Sequence, residues 1–394
     1  LTIEEAALIP TLFRPKELEI ELHTASTRKK DYAVLSFIPI VFQSNTPQKI
    51  TSIKIELIPS LPIMKKNYKG GGNSVLATGN WYKIETFQSG IHKVTYNDLI
   101  SLGIKTTPLA SSQIALFGNG GNMLPEANDE NEFLELVENA IFIQDGGDGI
   151  FGPGDYFLFY GIGVHGWKYS PLTQQFNHQF NIYSNKTYYF ITVDPEIGEK
   201  KRITSVNNSN LTPNITTNQF THYDFYEYDK VNFAESGKIW VDEPYEAQST
   251  KRYTFQTPTH NGEEARISIA AASNNSQASS FSIAVNGTHL AYMPLDKNTN
   301  TFAVYNAQSF SVGQFSSPLK IDLTFNKPYP SATVYLDYIE IQMGAMLNMY
   351  TSQFPFCNIN TVGEQNITRF QIGNSNNATQ VWDITNPYEP KNMV

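Results

Sequence analysis

One thiol, seven imidazoles and one run of aspartates are the side chains in this sequence suited to bond-breaking or metal chemistry. Thiol catalysis needs a thiolate with a base beside it. The single cysteine, Cys357, lies in QFPFCNIN behind Pro355 and Phe356, and no histidine follows it in the chain. It is read as a small packing thiol rather than a nucleophile. His165, in GIGVHGWKY, is read as a turn residue beside Trp167. His23, His92, His178, His222, His260 and His289 are scattered, and no HxH or HxxxH spacing marks a zinc site. No GxSxG elbow occurs. FGNGGN at 117–122 lacks the Lys-Ser/Thr ending and the following helix of a phosphate loop, so a β-turn is expected there.

The aspartates lie in DGGDGIFGPGDY, residues 145–156. Calcium is a hard cation that takes several oxygens, and Asp145, Asp148 and Asp155 are its candidate ligands, with glycines that let backbone carbonyls turn inward. The spacing departs from the EF-hand, which needs acids at alternate positions and a closing Glu. The competing reading is a glycine-stabilised turn between strands.

The elements that would position these groups are mostly strands. Charged residues are 16% of the 394-residue chain, below the roughly 25% of an average globular protein. Asn, Ser, Thr and Tyr fill the difference, and they favour pleated surfaces and polar turns. The length fits two to four domains. A net charge of −9 repels phosphate backbones, so nucleic-acid binding is not expected. One cysteine excludes an intrachain disulfide. No apolar run approaches the ~18 residues of a membrane span. The chain opens on Leu1 rather than Met, from which a removed leader is expected.

A mainly β, multidomain fold is expected: a small β unit, a mixed β-rich α+β unit and a jelly-roll-like β-sandwich. Residues 1–75 form the first unit and a glycine-rich linker, with strands at Tyr32–Phe42, interrupted at Pro39, and through Ile53, Ile55 and Leu57. Residues 76–205 hold one short helix: Thr95 is its N-cap, Asp98 completes a capping box, and Gly103 ends it. Strands are placed at Gln113–Phe117, Ala140–Ile143, Tyr156–Tyr160 and Tyr188–Val193. Residues 206–218 are a polar connector. In 219–345 the alternations Ile267/Ile269/Ala271, Phe281/Ile283/Val285 and Leu319/Ile321/Leu323/Phe325 mark the sandwich. VYLDYIEI (334–341) is apolar on both faces except for Asp337 and Glu340 and takes a central place. Residues 346–394, with a strand at Gln380–Ile384, are a linker toward a further domain.

From residue 79 the order of landmarks becomes specific. GNWYKIETFQSGIHKVTYNDLISLGI (79–104) precedes IALFGNGGNMLPE (114–126), FIQDGGDGIFGPGDYFLFYGIG (142–163), Trp167, FNHQFNIYSNKTYYFIT (176–192) and GEKKRI (198–203). FYEYDKVNFAESGKIWVDE (225–243), VYLDYIEI and VWDITNP (381–387) follow. This set resembles the N-terminal, non-catalytic region of the gingipain-like cysteine peptidase/sortase of the type IX secretion system (PorU-type) of Bacteroidetes. The resemblance covers nearly the whole chain and is weakest over 1–75.

The resemblance implies a parent cysteine endopeptidase, exported to the cell envelope, at the outer-membrane surface or in the periplasm. That family removes a C-terminal secretion domain from cargo proteins and can join the new end to an anionic lipopolysaccharide. The implied partners are an outer-membrane β-barrel carrier, the cargo, and the protein's own downstream peptidase domain, which holds the family's catalytic histidine and cysteine. No position here matches those two residues, so no catalytic residue is carried over. Two other readings stand beside it. A carbohydrate-binding sandwich would stack sugars on Tyr245, Tyr253, Tyr292 or Tyr305. An inhibitory pro-segment would cover the peptidase active site.

Overall fold

The structure, a computed structural model, describes residues 20–27, 30–43, 46–54, 74–104, 108–124, 135–207, 211–233, 239–245, 249–299, 301–377 and 379–394, with Leu18, Glu235 and Gly237. The chain divides into two compact units, Leu1–Gly72 and Asn73–Val394. The fold is mainly β, in several separate sheets.

In the first unit, β1 (Ile20–Thr27) and β2 (Lys30–Phe37) form an antiparallel hairpin, and β3 (Ile40–Gln43) and β4 (Thr46–Lys49) form a second. The expected break falls at Pro39, which has no N–H for a ladder and lies between β2 and β3. Its carbonyl accepts the N–H of Ile50 at 2.9 Å. Ile53 and Lys54 carry no regular structure. Ile55, Leu57 and the glycine run lie outside the described residues.

The second unit opens with β5 (Tyr82–Thr86), β6 (Gly90–Thr95), helix α1 (Tyr96–Ser101), β7 (Ala115–Phe117), β8 (Glu138–Asn139), β9 (Phe142–Gln144) and β10 (Tyr156–Gly161). There follow β11 (Gly166–Ser170), β12 (Gln175–Gln179), β13 (Thr187–Thr192) and β14 (Thr204–Val206). Two sheets, ordered β5-β13-β7-β8 and β6-β10-β9, enclose a front core of Leu99, Ile114, Leu116, Phe157, Phe159 and Tyr189. Alternation along β10 explains it, since Phe157 and Phe159 point inward and Leu158 and Tyr160 do not. In α1 the Thr95 hydroxyl accepts the Asp98 N–H and the Asp98 carboxylate accepts the Thr95 N–H, the expected capping box. Gly103 follows at φ +96°, where a side chain would be strained.

The rear of the unit comprises β15 (Ile215–Thr217), β16 (Gln219–Glu227), β17 (Thr250–Phe255), β18 (Ala265–Ser273), β19 (Ser279–Val285), β20 (Thr288–Leu295), β21 (Val304–Val312), β22 (Leu319–Asn326) and β23 (Val334–Met346). Two antiparallel four-stranded sheets, β16-β23-β18-β21 and β17-β22-β19-β20, share one core. Ile267, Ile269, Phe281, Ile283, Ile321 and Leu323 fill it from the alternating positions. β23 pairs on both edges, with β16 and with β18, as its two-sided apolar pattern requires.

The chain then returns over both cores. β24 (Thr368–Phe370) pairs in parallel with β15. β25 (Val381–Asp383) pairs with β26 (Lys391–Met393), which runs parallel to β14. The Gln353 side-chain amide bonds both the N–H and the C=O of Ile91, at 2.8 and 3.1 Å, and so blunts the free edge of β6. Among the described residues no helix is long and apolar enough to cross a membrane.

Candidate functional site

Cys357 is partly buried, and burial pushes its thiol pKa up, which disfavours the thiolate. Its backbone carbonyl accepts the Thr221 N–H at 2.7 Å. No imidazole hydrogen-bonds its sulfur among the described residues. Burial pushes the imidazole of His222, the residue after Thr221, down to about 4, leaving it neutral at ordinary pH. His165 stacks on Phe180, with ring centroids 4.2 Å apart, and its Nδ1 accepts the Asn181 N–H at 3.1 Å. Burial, then the charge on His178, pulls His165 below its usual range.

The three candidate calcium ligands each serve their own turn. Asp145 accepts the Gly147 N–H at 3.0 Å, Asp148 the Ile150 N–H at 2.8 Å, and Asp155 the Gly152 N–H at 2.6 Å. Gly146, Gly147, Gly149 and Gly154 adopt positive φ, as the loop's tight path demands. The neighbouring Ser111 hydroxyl, then the N–H of Gly147, holds the Asp145 carboxyl below its usual range. Among the described residues no three His, Cys, Asp or Glu side chains are grouped at metal-binding separation.

The aromatic platform needs correction. Tyr245 and Tyr253 are fully buried in the sandwich core, where their hydroxyls meet at 2.7 Å. The pattern already held this for Tyr253, which alternates with Arg252 and Thr254 and so faces inward. Tyr292 and Tyr305 are exposed, and the Tyr305 hydroxyl donates to Asp337 at 2.6 Å.

The densest chemistry lies where the β11–β12 hairpin meets the sandwich. Because Ile339, Ile341 and Met343 of β23 point into the core, Tyr338, Glu340 and Gln342 face outward. Register sets them opposite Glu227, Phe225 and Tyr223 of β16. The hairpin covers this outer face. Phe176 stacks on Tyr223 with centroids 4.4 Å apart, Trp167 packs against Tyr223 at 4.6 Å, and His178 stacks on Phe225 at 4.4 Å. Tyr338 meets the His178 ring edge-on at 4.9 Å.

Inside this aromatic frame His178 is clamped by two carboxylates. Nδ1 lies 2.5 Å from Glu340 Oε1, and Nε2 contacts Glu227 Oε2. Side-chain exposure is 5% for His178 and 10% for each glutamate, so the three charges are nearly dry. Burial alone would lower the imidazole pKa, but hydrogen bonds to Glu227 and Glu340, and their charges, outweigh it and hold it up at about 9. Nearby, burial pushes Asp229 and Asp337 up to about 6. Arg266, whose Nη1 is buried without a hydrogen-bond partner among the described residues, lines the adjoining groove with Gln175, Ser268 and Gln342. No local motif could reveal this cluster, whose members come from distant segments. The one signal was the pair of acids on the otherwise apolar β23, and both Asp337 and Glu340 are buried.

No family model and no curated protein matches the chain. Solved structures do. Dimeric latent PorU from Porphyromonas gingivalis superposes with a TM-score of 0.68 at 19% identity, over 82% of this chain and 30% of that one. The chain thus spans about 30% of the length of that protein, and the likeness shows a shared fold. Two carbohydrate-binding modules match less. The CBM36-1 domain of a multidomain xylanase from the hindgut metagenome of Trinervitermes trinervoides has a TM-score of 0.23 and 9% identity, over 30% of this chain and 96% of that one. A CBM36 module in complex with calcium and xylotriose has a TM-score of 0.20 and 15% identity, over 30% of this chain and 98% of that one.

Proposed function

We propose that this chain is the non-catalytic front region of a PorU-type cysteine endopeptidase/sortase, exported to the cell envelope. It holds the peptidase domain in place and offers contact surface to an outer-membrane β-barrel carrier or to cargo bearing C-terminal secretion domains. The observation that carries this reading is the superposition on latent PorU over 82% of the chain, more than the sandwich alone can supply. The raised thiol pKa of Cys357 is in keeping with this. A sugar-binding reading has less support, because Tyr245 and Tyr253 sit in the core.

The test has two arms. The purified 394-residue chain should not cleave a cargo carrying its C-terminal secretion domain. In cells, deleting residues 74–394 from the gene should leave cargo unprocessed although the peptidase domain is intact. Cleavage by the isolated chain that disappears in Cys357→Ala would overturn the reading. So would normal cargo processing in the deletion strain.

A further inference from the structure

We propose that the β11–β12 hairpin is a detachable latch between the front core and the sandwich, closed by the imidazolium of His178 between Glu227 and Glu340 and opened by its deprotonation. The hairpin grows from the front module, between β10 and β13, yet its side chains pack on the sandwich. In backbone terms it pairs, among the described residues, only with itself. Among the described residues, every polar tie to the sandwich runs through a side chain. The His178 N–H donates to Glu340 at 2.8 Å, the Phe176 N–H donates to Gln342 at 2.9 Å, and Gln342 Nε2 donates to the Gln174 carbonyl at 3.2 Å. Such a contact can separate without breaking a sheet.

The charge of one ring decides whether it stays closed. An imidazolium has two N–H donors, one for each glutamate; a neutral imidazole has one. Loss of the proton leaves two carboxylates facing each other in a nearly dry site with a single ring donor between them, besides the His178 backbone N–H on Glu340. Opening lets water solvate both. The surrounding groups bias the site further toward a cation. Glu227, with Asp229 just beyond its strand, faces the ring from β16. Asp337, Tyr338 and Glu340 face it from β23, with Tyr305 of β21 bonded to Asp337. Arg266 of β18 lines the adjoining groove, and Lys168 and His165 belong to the hairpin and its approach. Because the folded-state pKa of His178, about 9, lies above its ordinary 6.5, the latch is fully closed below about pH 6.5. It weakens as pH rises through about 9.

Hydrogen–deuterium exchange on the full chain tests this, with rates corrected for intrinsic base catalysis. Between about pH 7 and about pH 10, protection of residues 166–179 should fall about tenfold or more, while β18, β19 and β22 stay protected. His178→Gln, which keeps one hydrogen bond but cannot be charged, should exchange fast in the hairpin at all these pH values. A wild-type hairpin protected throughout, or a His178→Gln profile that still follows pH, overturns the proposal. Ring NMR of His178 in the wild-type chain gives a check that needs no variant. A titration midpoint at or below the ordinary 6.5 also overturns it.

Discussion

Single residues show how little slack the front core has. A Cβ added at Gly118 would stand 2.4 Å from Cδ1 of Tyr189. That ring is fully buried, and its hydroxyl accepts the Ile162 N–H at 2.7 Å. It cannot retreat without breaking the bond, so Gly118→Ala should cost about 1–3 kcal/mol, read as a lower urea midpoint at unchanged slope. Asp337 predicts a pH effect of definite sign. Burial first, with the charges of Glu227 and Asp229, pushes its carboxyl up to about 6, against the opposing hydrogen bond from Tyr305. An acid whose pKa is raised on folding is stabilising when protonated, and that contribution is lost as pH rises from about 4 through about 6. Asp337→Asn should therefore flatten the fall of stability across that window. Equal slopes in variant and wild type, followed by urea unfolding, would exclude the assignment.

At the scale of elements, legibility tracked how local the determining contacts are. The capping box of α1 closes within four residues, and Thr95 and Asp98 stand in the chain as they stand in space. Thr95→Ala should cost about 1 kcal/mol, checked by thermal melting, because the Asp98 N–H loses its acceptor and the Asp98 carboxylate loses the Thr95 hydroxyl. Sandwich strands were legible for the same reason: Phe281, Ile283 and Val285 carry a period of two that only a half-buried strand explains. The limits are equally physical. β24 and β26 are three residues each and exist through parallel pairing with β15 and β14, more than a hundred residues away in sequence. Three residues hold too little pattern to announce a strand. The His178 cluster was hidden likewise, since His178 and Glu227 do not stand out from their neighbours and only the β16–β23 register and the docked hairpin bring them to Glu340. Tyr245 was misjudged because it lies outside the regular strands, where alternation gives no direction; its burial comes from packing on Phe281.

For the larger unit as a whole, the question is whether its two cores unfold together. The hairpin is one tie between them, and the returning chain supplies others. Gln353 holds Ile91; the Tyr388 carbonyl accepts the Ala140 N–H at 2.8 Å; the Tyr388 hydroxyl donates to the Asn119 carbonyl at 3.2 Å. Glu389 pairs with Lys201, and β26 adds its ladder to β14. Removing residues 377–394 deletes the last four of these ties but leaves β24, Gln353 and the sandwich core untouched. Each lost hydrogen bond is worth only about 1 kcal/mol net, yet together they rival the few kcal/mol that separate coupled from independent unfolding. Calorimetry of the truncated chain should accordingly show the front core melting first and the sandwich later, where the full unit gives one transition. At high pH, where the latch is open, the two transitions should move further apart. If the truncated chain melts once, at the midpoint of the full chain, then the front core is stable on its own contacts and the return of the chain is not what binds the two together.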